Sequence, residues 1–179
     1  MFNALLLIAV MVAAVMFVSW INQRHETRRA DAGPTADEQV EALWDDFGGA
    51  DDPAEARAAL DALLGRIDVA TLRRKNAVVA LAVMAARTDR HDVLPELAAA
   101  ARSLDGGCGE TAALRVLAEA CTGDVGRARE MYQASQSAMA GCGSCGTQGP
   151  GRFLLQEVTI MLDAMEPAAQ GAGPSGVRT

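Results

Sequence analysis

Residues 78–86 read VVALAVMAA. A helix at a protein surface keeps one polar face, but this stretch is apolar nearly all round. The helix that contains it, expected over residues 71–87, is therefore the most deeply buried element of the fold. No segment of the chain shows the period-two alternation of a half-buried strand. The fold class is all-α.

Helical punctuation continues on both sides. Upstream, Thr35-Ala36-Asp37-Glu38 is a capping box, in which the threonine hydroxyl accepts an amide and Glu38 reaches back. Val40, Leu43, Trp44 and Phe47 follow at helical spacing, and Gly48-Gly49 ends that helix. Asp52-Pro53 opens the next with an N-cap and a first-turn proline, and Gly65 stops it. Downstream, a fourth helix starts near Asp92 with Pro95 in its first turn and ends at Gly106-Gly107. A fifth runs over about 110–121, closed by Gly123, and a sixth over 124–140. A glycine-rich loop, 141–151, precedes a seventh with an apolar stripe at Leu154, Leu155, Val158, Met161, Leu162 and Met165. Pro167 terminates it, and the Gly-, Ala- and Pro-rich end is expected to be disordered.

The amino-terminal run, residues 4–21, reads ALLLIAVMVAAVMFVSWI and carries no charge. Its length at ~1.5 Å per residue reaches ~27 Å, the thickness of a bilayer's hydrocarbon core. Trp20 stands where an indole favours the membrane interface. Arg24, Arg28 and Arg29 follow the run and nothing basic precedes it, so the positive-inside rule puts the rest of the chain in the cytoplasm. The expected organisation is a single transmembrane anchor (1–23), a juxtamembrane linker (24–34), a soluble helical-repeat domain of about seven helices (35–166) and a disordered tail (167–179). The lipid bilayer is an expected partner through residues 4–21. The expected location is the bacterial inner membrane, with a periplasmic domain as the alternative.

The helices come in pairs joined by short turns, and Asp52, Asp89 and Asp124 each stand near the start of a second helix at intervals of 37 and 35 residues. A two-helix unit of that period is the signature of an α-solenoid. Gly123-Asp124-x-x-x-Ala128-x-x-x-Tyr132 resembles the second-helix half of the tetratricopeptide repeat. The resemblance covers about a dozen residues and lacks the first-helix positions of that motif. It implies α-hairpins that act as a scaffold, binding a protein partner in a groove.

Cys108, Cys121, Cys142 and Cys145 are the chain's four cysteines, and the last two form a CxxC in the glycine-rich loop. Helix five is ~18 Å long and separates Cys121 from Cys108, while helix six returns Cys142 and Cys145 to the Cys108 end. A zinc ion takes its sulfur ligands at ~2.3 Å, so Cys121 cannot join the other three and is expected as a buried core thiol. Cys108, Cys142 and Cys145 remain as a candidate cluster. In an oxidising compartment it would form a disulfide. In a reducing one it would stay as thiols or hold a metal with a fourth ligand that the sequence does not identify.

The net charge of −7 disfavours nucleic acid as a partner. Only one of the sixteen basic residues, Lys75, is a lysine. No nucleophile elbow, phosphate loop, dinucleotide fingerprint or paired-histidine metal motif occurs, so neither an enzyme nor a cofactor is expected. His25 and His91 read as solvated. The expected function is a membrane-tethered scaffold for protein–protein interaction. The alternatives are an accessory subunit of a membrane complex, packed through Ala9, Ala13 and Ala14, and a thiol redox or metal-binding protein using the CxxC.

Overall fold

The computed structural model describes residues 15–17, 19, 33–48, 52–141 and 149–164. The chain divides into two compact units, Met1–Thr35 and Ala36–Thr179.

In the first unit, Val15, Met16, Phe17 and Ser19 are helical and exposed. No helix among the described residues is long and apolar enough to cross a membrane. This corrects the expectation of a single-pass anchor over residues 4–21. It also corrects the inner-membrane location built on that anchor, on either side. An apolar run supplies only the side chains of a span; crossing a bilayer also requires an unbroken helix of ~20 residues that satisfies every backbone group internally. The remaining residues of 4–21 lie outside the described ones, as do 24–32 of the linker and the tail beyond 164.

The second unit is all-α among its described residues. Its helices are α1 (Ala36–Phe47), α2 (Pro53–Leu64), α3 (Lys75–Arg87), α4 (Leu94–Asp105), α5 (Gly109–Thr122), α6 (Val125–Gly141) and α7 (Pro150–Ala164), with short 3-10 turns at Val69–Thr71 and His91–Val93. Local chemistry sets most of the ends. The Asp52 carboxylate accepts the Ala54 amide at 2.8 Å ahead of Pro53. Gly123 ends α5 in the left-handed region at φ +100°, and its amide donates to the Ala120 carbonyl at 3.2 Å. α3 is shorter than expected because Asp68 starts a separate 3-10 turn by accepting the Ala70 amide at 2.9 Å.

Every residue of α3 from Ala77 to Ala86 is buried. α1, α4 and α7 surround it, while α5 packs on α4, α6 and α7. α3 and α5 touch each other little, and α7 bridges them with Leu154, Val158 and Leu162 buried. Phe153 at the start of α7 meets Trp44 of α1 edge-on at 5.7 Å. The Arg87 guanidinium of α3 lies 4.9 Å over the same ring and pairs with Glu157 at 2.7 Å.

In an open repeat stack each unit touches only its neighbours. Here α7 reaches back to α3 and α1, so the helices close on one another. The three aspartates are also inequivalent: Asp52 and Asp124 accept amides of the helices they precede, at 2.8 and 2.9 Å. Asp89 instead occupies a left-handed turn at φ +55°.

Candidate functional site

The amino-terminal ends of α3, α5 and α7 meet at one place. Lys75 is the first residue of α3, Cys108 is the N-cap of α5, and Gly151 is the second residue of α7. The Lys75 ammonium lies 3.0 Å from the Cys108 sulfur and 3.0 Å from the Glu110 carboxylate, and 3.9 Å from Asp105 at the end of α4. Glu110 is 5% exposed. A lysine at the positive end of a helix dipole is disfavoured by itself, and the buried carboxylate offsets that. The hydrogen bond to Cys108, and then that to Glu110, raise the Lys75 pKa above its ordinary value against the opposing effect of burial.

Two glycines make the meeting point possible. A Cβ on Gly109 would stand 2.8 Å from the Ala138 carbonyl oxygen and the Met139 Cα, so α5 and α6 cross with backbones nearly touching. A Cβ on Gly151 would stand 2.8 Å from the Glu110 carboxyl carbon, so the carboxylate occupies the space a side chain would need. Both flanks of the CxxC segment thus rest against residues next to Cys108.

Cys142 and Cys145 themselves lie outside the described residues. Of the expected cluster Cys108, Cys142 and Cys145, the structure places Cys108, and the neighbours it shows are a lysine and a glutamate. Sequence reasoning missed both, because a lone lysine and a first-turn glutamate look like ordinary surface residues. No group of three His, Cys, Asp or Glu residues that could hold a metal ion occurs among the described residues. Cys121 stands at the opposite end of α5 from Cys108 and is half-buried rather than enclosed. Desolvation pushes its thiol up to about 11. His91, expected as solvated, keeps part of its ring exposed, but its Nε2 is shielded and has no hydrogen-bond partner among the described residues. His25 lies outside the described residues.

A second feature had no signal in the sequence. Between α4, α5 and α6 runs a groove with a cavity of about 210 Å³, lined by Arg102, Arg115, Arg127, Glu119 and Thr122 together with Pro95, Ala98, Ala118 and Met131. Arg127 pairs with Glu119 at 3.4 Å. Arg102 and Arg115 form no ion pair with any described residue, although the chain carries a net charge of −7. A hollow of about 260 Å³ between the 3-10 turn at Val69–Thr71 and α4 is lined by small and apolar residues with Glu96 and no cation. Compared with known proteins, the chain matches no family model, no curated protein and no solved structure.

Proposed function

We propose that the helical unit is a protein-interaction module whose α4–α5–α6 groove receives an acidic segment of a partner protein. The observation that carries this is the convergence of Arg102, Arg115 and Arg127 on one small groove of an otherwise acidic chain, with Glu119 engaging Arg127 and leaving two arginines for a partner. A guanidinium offers a planar fork of donors that matches a carboxylate in two parallel hydrogen bonds. The alanine, proline and methionine floor takes the apolar side chains beside such a carboxylate. The volume suits two or three partner side chains rather than a large cofactor.

The test is fluorescence anisotropy with a labelled peptide of alternating glutamate and leucine, against its lysine–leucine counterpart. The acidic peptide should bind and weaken as salt rises. Arg102→Ala with Arg115→Ala should lower its affinity about tenfold or more. Equal binding of both peptides, or an affinity unmoved by the double substitution, rejects the reading.

A further inference from the structure

We propose that Cys108 and Lys75 form an oxidation-sensitive pair, in which peroxide oxidises the Cys108 sulfur and the Lys75 amine closes on it to make a covalent sulfur–nitrogen bridge between α5 and α3. The geometry is already that of reacting partners: Nζ and Sγ are 3.0 Å apart, within the separation from which bonds form without rearrangement of the fold. The lysine stem has the rotational freedom to complete the approach. The Glu110 carboxylate, also 3.0 Å from Nζ, holds the amine in place on the side away from solvent.

The chemistry balances with hydrogen peroxide as oxidant. In the first step the thiol S–H bond and the peroxide O–O bond break and an S–O bond forms. The thiol becomes a sulfenic acid and one water leaves. Sulfur loses two electrons to the peroxide. A sulfenic acid condenses with a nearby thiol or nitrogen. In the second step the ammonium passes one proton to the Glu110 carboxylate 3.0 Å away, the freed Nζ lone pair attacks sulfur, the S–O bond breaks, and the hydroxyl leaves with one amine proton as a second water. The protein has lost two hydrogens and no further oxidant is needed. A small-molecule thiol that attacks the bridged sulfur restores Lys75 and, after exchange, Cys108.

Lys75 is the chain's only lysine, so no other lysine amine can substitute for it. Cys121, at the far end of α5 from Cys108 and its lysine, is an internal control that peroxide can oxidise but that no lysine amine can bridge.

The experiment treats the full chain with hydrogen peroxide, quenches it, and maps peptides by mass spectrometry after cleavage with a glutamate-specific protease. The expected product is a joined pair of peptides carrying Lys75 and Cys108, lighter than their sum by two hydrogens and separated by dithiothreitol. It should be absent in Cys108→Ser and in Lys75→Arg. The arginine keeps a cation opposite Glu110, so in that variant the sulfenic acid at Cys108 should accumulate and be trapped by a cyclic 1,3-diketone. Circular dichroism checks that both variants keep the wild-type helix content. Three results overturn the proposal: a disulfide from Cys108 to Cys142 or Cys145, Cys108 oxidised while Lys75 keeps its full amine reactivity, or a joined pair that carries an additional oxygen.

Discussion

The carboxylate of Asp37, in the first turn of α1, accepts the backbone amides of Arg73 at 3.1 Å and Arg74 at 3.0 Å, and so closes the amino end of α3 from a helix that precedes it by two in the chain. α3 has no side-chain cap of its own. Asp37 is itself buried, so these bonds are shielded from competing water.

Asp37→Ala should therefore destabilise the fold by about 2 kcal/mol, more than an exposed cap of the same kind. Asp37→Asn keeps one acceptor and should lose about half as much. Urea midpoints at constant slope measure both. Equal stability of the alanine variant and the wild type would show that the cap contributes nothing.

Gly109→Ala should be more damaging than Gly151→Ala. The first places a methyl 2.8 Å from the backbone of α6, which can yield only if the helices part. The second meets the Glu110 side chain, which can rotate at the expense of its ion pair. The expected losses are about 3 and about 1.5 kcal/mol, after the gain of up to ~1 kcal/mol that alanine brings to a helix. Thermal melts of the two variants side by side check the order.

Leu154→Ala, on the helix that joins α3 to α5, should cost about 3 kcal/mol and leave a single unfolding transition. In a chain with Trp20→Phe, Trp44 fluorescence reports α1 and circular dichroism reports all helices. Their transitions should coincide, because Trp44 rests on Phe153 of α7. In a stack of independent repeats the α1 signal would survive the loss of α7 packing, and the curves would separate.

The pH dependence has a definite sign at each end. The folded-state pKa of Lys75 is raised, so its contribution is complete below the ordinary lysine value of about 10.4 and is lost as pH climbs through the raised value. Lys75→Arg should push that alkaline loss to higher pH. The pKa of Asp92 is lowered by its hydrogen bond to Arg90, so its contribution is present above the ordinary carboxylate value of about 3.9 and is lost as pH falls through the lowered one. Asp92 is well exposed, so Asp92→Asn should flatten the acid limb only slightly. Urea unfolding across the pH range reads both limbs.

Helix positions were legible in the sequence because the signals that set them act within one turn of the chain. Asp52-Pro53 starts α2, Gly123 ends α5, and the all-round apolar run at 78–86 marks the helix that others enclose. Each of these works through a hydrogen bond or a steric limit a few residues long. The amino-terminal apolar run shows where that logic stops. Side-chain hydropathy over 4–21 met the length of a span, yet no helix among the described residues is long and apolar enough to cross a membrane.

Partner choice was not legible. Nothing local says that α7 packs on α3 and α5 together, that Asp37 caps a helix beginning at Lys75, or that Arg102, Arg115 and Arg127 line one groove. Cysteine counting found Cys108 but not Lys75, because what distinguishes that lysine is its position against the sulfur and a buried carboxylate. Chain closure over tens of residues adds little entropy difference between one pairing and another. The choice among them therefore falls to shape: the two glycines that let backbones meet, and the apolar faces that fill one core. The sequence alone determined the all-α character of the described residues and the ends of most of their helices. Only the tertiary structure decided which helix ends meet, and so where the lysine, the cysteine and the arginines come together.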